Sequence, residues 1–331
     1  MAKSFTAGQH AGACIRLDRE FLKRMAAPAP YRLLLQTCIE WLWIVMLITA
    51  AAWLSNTAIS IVCIMLIATR QHALLVLMHE YSHYQFSRKR PLLNDLVGDV
   101  FTAFPFLITI HGFRRNHMPH HRHASTDEDP DWIASMKKDR YRFPKTRKQV
   151  FLEIAKHCAG WYTITDLKGY TIDSGMAIDL PRSTRISRAV WVTGFVVATT
   201  WFGWWWNVFL YWIVPLATFL MAILYLRDMG EHFGMPSPGI AGSRTVLAGT
   251  IERLLICQNG VNFHTEHHLF PSVPFFRLNR LHRALMKDSQ YRRHAVLTRG
   301  YLTGLVDEVA MVPSNAWRAG DAHIANGSLR S

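Results

Sequence analysis

The sequence predicts an all-α membrane protein: a four-transmembrane-helix bundle, built as two hairpins, with a cytoplasmic helical cap that carries clusters of histidine. Three observations support this fold class. Half of the 331 residues are hydrophobic. Two long apolar blocks alternate with two charged, histidine-bearing blocks, as expected of a chain that crosses a bilayer several times. The net charge is +14, and the excess lysines and arginines flank the apolar blocks, as basic residues do in cytoplasmic loops.

The apolar blocks divide the chain into three parts: a cytoplasmic N-terminal segment, 1–32, a membrane domain, 33–290, and a C-terminal segment, 291–331, that is expected to be partly disordered. A helix needs about 20 apolar residues to cross a bilayer. The apolar stretches therefore place the spans at about 33–54, 57–78, 189–206 and 208–226. The hairpin turns are predicted at Ser55-Asn56 and at Asn207.

An even number of spans keeps the histidine clusters on one side of the bilayer. With the basic N-terminus inside, four spans return the C-terminus to the cytoplasm, and both histidine-bearing blocks face the same side. Residues 92–112 are apolar but are interrupted by Asp95, Asp99 and Pro105. We therefore expect an interfacial or re-entrant segment there, not a span exposed to lipid.

Charge and cysteine content argue against other classes of protein. A net charge of +14 in a soluble chain would suggest nucleic-acid binding. Here the basic residues border apolar spans, so anionic lipid explains them and no nucleic-acid partner is expected. The five cysteines are far apart in the sequence and form no Cys-x-x-Cys pair. Neither a disulfide framework nor an iron–sulfur cluster is indicated.

Three clusters of histidine carry the candidate chemistry. They are His79-Glu80-Tyr81-Ser82-His83, His117-Met118-Pro119-His120-His121 and His264-Thr265-Glu266-His267-His268. Spacings of three and four residues place side chains on one face of a helix, so the clusters predict eight imidazoles directed at one site. Eight ligands are too many for one metal ion and suit two. Imidazole binds iron, zinc, copper and nickel, so the ligand type leaves the metal open.

Two functions of other classes compete at this point. His79-Glu80-Tyr81-Ser82-His83 also fits the H-E-x-x-H motif of zinc metalloproteases, with Glu80 as the general base. A membrane protease would need only one further ligand and would leave six clustered histidines unexplained. A metal carrier without catalytic activity would need polar residues along its spans, whereas these spans are apolar.

The clusters lie within longer motifs that resemble those of a known family. These motifs are Asn94-Asp95-Leu96-Val97-Gly98, Phe113-Arg114-Arg115, Asp129-Pro130-Asp131 and the stretch from Asn262 to Pro274. Their order and the hairpin topology resemble the membrane fatty-acid desaturase superfamily over about 33–290. Within it the chain looks most like the rhizobitoxine-desaturase-like branch, part of which acts on small amino-acid-derived metabolites.

The resemblance implies a non-haem centre of two iron ions that uses O₂ to introduce a double bond into a fatty-acyl, lipid or small amino-acid-derived substrate. It adds a ninth histidine just after the fourth span, so that the expected ligands are His79, His83, His117, His120, His121, His232, His264, His267 and His268. Asp228 stands where relatives have an asparagine near the metal. Glu80, Asp228 and Asn262 are expected to support the ligands. Hydroxylation on the same scaffold is the alternative reaction.

The implied reaction needs two external electrons for each O₂. The sequence contains no His-Pro-Gly-Gly motif of cytochrome b5 and no cysteine cluster, so a separate ferredoxin- or cytochrome-type protein is expected to supply them. A basic patch of Arg114, Arg115, Lys137 and Lys138 is a candidate docking surface for an acidic carrier. Contact with lipid explains this patch equally well.

The four-span topology predicts the location of reporters fused to the chain. Fusions after residue 30, near residue 145 and after residue 300 should report the cytoplasm, and a fusion near Asn207 should report the opposite side. A reporter that is active only in one compartment measures each location. A signal from the opposite side at residue 145 would contradict the topology, because the histidine clusters would then lie on two sides of the bilayer.

Overall fold

The computed structural model describes residues 4–6, 15–169, 179–233, 235 and 239–311, and most of them are helical. The α-helices are Arg19–Met25, Pro30–Leu54, Thr57–Ser82, Pro91–Gly98, Ile110–His123, Pro130–Met136, Arg147–Cys158, Thr163–Lys168, Arg182–Trp201, Trp205–Val208, Met221–His232, Thr250–Leu255, His264–Leu269, Leu278–Leu285, Ser289–His294 and Val306–Met311. Short strands form two pairs, Ser4–Thr6 antiparallel to Arg16–Asp18, and Arg244–Val246 parallel to Val296–Thr298. The all-α class is thereby confirmed, with strands only as small connecting elements.

Tighter or wider helical turns join several of these helices. The π-helical segments are Asp99–Ala103, Phe209–Ile213, Leu216–Leu220 and Gly300–Leu305. The 3-10 segments are Phe104–Phe106, Asp139–Tyr141, Gly239–Gly242, Gln258–Gly260 and Phe275–Arg277. Two of the π-helical segments flank Pro215, whose missing N–H cannot take part in the regular hydrogen-bond pattern of an α-helix.

Among the described residues, three helical stretches are long and apolar enough to cross a membrane: Arg19–Leu54, Thr57–Ser82 and Trp205–His232. A fourth candidate is the bent pair Pro91–Phe106 and Ile110–His123, whose two parts meet at 90°. This bend agrees with the interfacial or re-entrant segment expected at 92–112. The helix predicted as the third span, Arg182–Trp201, is not among these stretches, since Arg182, Arg185 and Arg188 occupy its first two turns. The count of four spans stays a prediction.

The first hairpin turns where the sequence predicts. Ser55 ends helix Pro30–Leu54 in the left-handed conformation with φ 47°, and the Asn56 side chain accepts a hydrogen bond from the Ile59 N–H at 3.2 Å to begin the next helix. Deeper in the hairpin, Glu40 pairs with Arg70 across the two helices at 3.2 Å. This pair fixes the register of the two helices.

The second hairpin turns earlier than predicted. Helix Arg182–Trp201 ends before Gly203, which adopts φ +67°, and the chain becomes helical again at Trp205. Asn207 therefore lies inside a helix, and the predicted boundary at 206–208 is wrong by about one turn. The physical reason is that glycine adopts a left-handed conformation at almost no steric cost, which makes Gly203 a better helix terminator than Asn207.

The described C-terminal residues pack against the end of the helical bundle that carries the histidine clusters. Strand Val296–Thr298 pairs with Arg244–Val246, and Thr245 in turn bridges to Phe263 beside the third histidine cluster. Tyr301 and Val309 are buried in the same apolar cluster as residues of helix Met221–His232. Part of the segment predicted as 291–331 is thus ordered and buried. The end of that segment, 312–331, lies outside the described residues.

Candidate metal centre

Four helical segments bring the predicted ligands together. The first cluster ends helix Thr57–Ser82, the second lies in Ile110–His123, and the third forms Helix His264–Leu269. His232 is the last residue of helix Met221–His232. All nine histidines named from the sequence meet in two adjacent groups, each with a geometry that can hold a metal ion.

The larger group contains His79, His83, His117, His121 and His267, whose candidate ligand atoms all lie within 4.8 Å of one another. The Nε2 atom of His117 is 3.1 Å from that of His83 and 2.9 Å from that of His121. The Nε2 atom of His267 is 2.9 Å from that of His121. His79 Nε2 is buried and has no hydrogen-bond partner among the described residues. Five ring nitrogens are therefore directed into one small volume.

The smaller group contains His120, His232, His264 and His268. The Nε2 atom of His264 lies 2.7 Å from that of His232 and 3.0 Å from that of His268. The His120 ring centroid is 4.7 Å from that of His232. Because His120 lies between His117 and His121 in helix Ile110–His123, one helix contributes histidines to both groups.

These distances fit transition-metal ions. Two nitrogens that each lie about 2.0–2.1 Å from a metal at right angles are about 2.9 Å apart, close to the spacings in both groups. Burial lowers the pKa of His264, His267 and His268 well below its usual value, and lowers that of His83 to about 3. These rings are consequently neutral at physiological pH, which is the form of histidine that binds metal.

Asp129 orients one of the histidines. Both of its carboxylate oxygens lie 3.0 Å from His120 Nδ1, and they also accept the backbone N–H groups of Ser125 and Asp131 at 2.9 Å. A carboxylate on Nδ1 fixes the tautomer that leaves Nε2 free for a metal. Asp129 was not predicted from the sequence as a site residue, although its place in the motif Asp129-Pro130-Asp131 could have indicated it.

His232 and His264 are oriented by other groups. His232 Nδ1 lies 3.1 Å from the Gly242 carbonyl oxygen and can donate a hydrogen bond to it. His264 Nδ1 is 3.5 Å from the Glu231 carboxylate, which itself accepts a hydrogen bond from Arg227 at 2.5 Å. The ring nitrogens of His232 and His264 that approach each other are therefore the Nε2 atoms.

Glu266 anchors the helix of the third cluster through three side-chain contacts. This buried carboxylate accepts hydrogen bonds from Tyr291 Oη at 2.5 Å and Thr245 Oγ1 at 2.6 Å, and His282 Nδ1 lies at 2.5 Å. Helix His264–Leu269 has only six residues and no side-chain cap at its first residue. The contacts of Glu266 thus tie a short helix to the C-terminal part of the chain.

The three residues expected to support the ligands make different contacts. Glu80 accepts the Phe275 N–H at 3.0 Å, and its other oxygen is 3.8 Å from His79 Nδ1, which is too long for a hydrogen bond. Asp228 accepts the Tyr141 hydroxyl at 2.7 Å. Asn262 donates to the Val246 carbonyl at 2.9 Å and so joins the third cluster to a strand. Their roles in supporting the metal ligands stay predictions.

A known protein family has a sequence pattern that matches most of this chain. The sequence profile of the fatty acid desaturase family matches residues 55–300. The chain belongs to this family. It is therefore an oxidoreductase of the fatty-acid-desaturase type. The family implies iron-dependent catalysis, and the two histidine groups could bind a metal. The apolar helices and the family together indicate an integral membrane protein.

Three relatives show the range of the similarity. Dihydrorhizobitoxine desaturase from Bradyrhizobium elkanii is 26% identical over 271 residues, 78% of this chain and 72% of that protein. An acyl-lipid omega-3 desaturase (cytochrome b5) from Arabidopsis thaliana is 24% identical over 62% of this chain and 58% of its own length. An sn-1 acyl-lipid omega-3 desaturase (ferredoxin) from Nostoc sp. (strain 36) is 25% identical over 62% of this chain and 61% of its own length.

Asp129→Asn should weaken metal binding by about 10- to 100-fold, because the amide presents a neutral oxygen to His120 in place of a carboxylate. Asp127→Asn, a change of an exposed carboxylate in the same loop, is the matched control and should retain metal normally. Metal retained per chain during titration with a chelator measures the difference. Equal retention of metal in the two variants would show that Asp129 stabilises the loop but does not affect metal binding.

Proposed function

We propose that this chain is a membrane-bound, O₂-dependent desaturase with two iron ions, one held by each histidine group. The observation that carries the proposal is the division of nine buried or partly buried histidines into a group of five and a group of four. A single metal ion cannot use nine ligands, and the contacts between Nε2 atoms recur in both groups. Nitrogen-rich ligation of this kind differs from the carboxylate-rich di-iron sites of soluble helical bundles.

When bound, the iron pair would activate O₂, which is the oxidant, so that hydrogen can be removed from an unactivated C–H bond. The chain's own residues hold and orient the imidazoles and keep bulk water away, since most of the histidines are buried. Removal of two hydrogens with two electrons and two protons from a donor gives an alkene and two molecules of water. The same fold carries hydroxylation if oxygen enters the product, and this stays the alternative reaction.

The substrate proposed here is a fatty-acyl lipid or a small amino-acid-derived metabolite. The first class follows from the family and from the acyl-lipid desaturases among the relatives. The second follows from dihydrorhizobitoxine desaturase. Relatives whose names include cytochrome b5 and ferredoxin support a separate protein as electron donor to this chain. We further propose that both termini and the metal centre face the cytoplasm.

The zinc metalloprotease alternative has less support. His79 and His83 are completed by three more histidines of the same group, where a protease site would need one. The Glu80 carboxylate, which would serve as general base, accepts a backbone N–H from Phe275. The second group of four histidines would have no role in peptide hydrolysis.

Purified protein should contain about two irons per chain, and mutation of one histidine group should remove only the iron that this group holds. His264→Ala with His268→Ala removes two ligands from the smaller group and should leave about one iron per chain without turnover. His79→Ala with His83→Ala should do the same for the larger group, while His123→Ala, outside both groups, should retain two. Elemental analysis and Mössbauer spectroscopy measure the content. One zinc and no iron in the unaltered chain would favour the protease.

Cells that express the chain with an electron donor under ¹⁸O₂ should accumulate a product two hydrogens lighter than its precursor and free of ¹⁸O. Mass spectrometry of extracted lipids and polar metabolites identifies both the substrate class and the reaction. Cells that express the His264→Ala, His268→Ala variant are the control and should lack the product. A product that carries one ¹⁸O atom would establish hydroxylation and reject desaturation.

A further inference from the structure

The helices that follow the third histidine cluster present a basic surface. Helix Leu278–Leu285 and helix Ser289–His294 bury Leu281, Leu285 and Tyr291 against the rest of the cap. Their outer sides and the turn between them carry five exposed cationic side chains, here called the basic face: Arg280, Arg283, Lys287, Arg292 and Arg293. The two helices therefore separate an apolar inner side from a positively charged outer side.

The charge of the basic face is not neutralised locally. Between His267 and Val306 the sequence has seven lysines and arginines and one acidic residue, Asp288. Asp288 begins helix Ser289–His294 by accepting the N–H groups of Gln290 at 2.7 Å and Tyr291 at 3.0 Å. No ion pair in the described part of the chain includes a residue of the basic face. Clustered unpaired cations create a positive potential that attracts acidic proteins.

The buried side of the same two helices contacts Glu266, which holds the helix of the third histidine cluster in place. His282 and Tyr291 both contact the carboxylate of Glu266 at 2.5 Å. Glu266 lies in helix His264–Leu269, which carries three of the nine histidines. A protein bound to the basic face is thus separated from the third cluster by one layer of hydrogen-bonded side chains.

The patch suggested by the sequence is less suited to docking. Arg114 pairs with Asp95 at 2.6 Å, and Lys138 pairs with Asp166 at 3.1 Å. Because these carboxylates largely neutralise Arg114 and Lys138, the positive electrostatic potential that the two residues create outside the molecule is weaker.

The composition of the basic face also favours a soluble partner over a lipid surface. Helices Leu278–Leu285 and Ser289–His294 expose no large apolar side chain beside the cations. The cap exposes apolar side chains elsewhere, at Ile251 and Leu254. Large exposed apolar side chains are the ones expected at a lipid surface.

We propose that the basic face is the docking surface for an acidic one-electron carrier protein, whose electrons enter the metal centre through the third cluster. This proposal rests on the proposed function, since a reaction that consumes O₂ and two electrons needs such a carrier. The carrier is oxidised by one electron at each encounter, and two encounters reduce the iron pair from the ferric to the ferrous state.

The test measures reduction of the iron-loaded protein in nanodiscs of neutral lipid by two donors of opposite charge. One is a reduced plant-type ferredoxin, and the other is the methyl viologen radical, a small cation. Charge reversal with Arg280→Glu and Arg283→Glu should slow reduction by ferredoxin at least about tenfold at low ionic strength, and the difference should shrink as salt screens the charges. Reduction by the viologen should not slow.

The matched control is Lys137→Glu with Lys148→Glu, which makes the same change in charge at exposed lysines outside the basic face. It should reduce the ferredoxin rate less than twofold.

Normal ferredoxin kinetics in the Arg280→Glu, Arg283→Glu variant, with iron present and reducible by viologen, would overturn the docking surface and leave the proposed function intact. An equal loss in the control would also overturn it. An unaltered chain without iron would overturn both proposals. A defect seen only in nanodiscs of anionic lipid would assign the face to lipid and overturn the carrier.

Discussion

Nine imidazole rings lie in two adjacent groups, and seven of them have an Nε2 atom about 3 Å from the Nε2 atom of another ring. The surrounding structure holds the rings in this close arrangement. Neutral rings that point their lone pairs at one another gain little unless a cation lies between them. Burial of the histidines at the same time removes the water that would otherwise solvate the lone pairs. Such an arrangement suits a set of ligands around a metal ion, and the surrounding carboxylates and carbonyls hold the rings in orientations that could bind one.

Helix Thr57–Ser82 is the element on which this arrangement is built. Near its middle it pairs with helix Pro30–Leu54 through Arg70 and Glu40, and its C-terminal end carries His79 into the larger group. Nearly every residue from Ile67 to Ser82 is buried, so this helix contacts protein on all sides where it approaches the site. A ligand on such a helix has little freedom to move, which suits a centre that must hold its geometry through changes of charge.

The sequence alone predicted which histidines lie together better than it predicted the residues around them. The spacing within each cluster is local, and a helix converts it directly into a shared face, so eight of the nine histidines followed from the residues and His232 from the family resemblance. Asp129 and Glu266 were not recognised as site residues, because their partners His120 and Tyr291 are brought to them by tertiary packing. The turn at Gly203 was placed too late, since the apolar residues around it gave no break in hydropathy. The orientation of the chain in the bilayer and the role of each histidine remain predictions.

The contacts of Glu266 have a consequence for biosynthesis. Neither histidine group is complete until the ribosome has added His267 and His268, and the residues that hold their helix, His282 and Tyr291, are added later still. The membrane helices enter the bilayer long before that point. The metal centre is therefore assembled only after the hairpins are in place, and a chain that stops before Tyr291 carries every ligand without the support that keeps three of them in position.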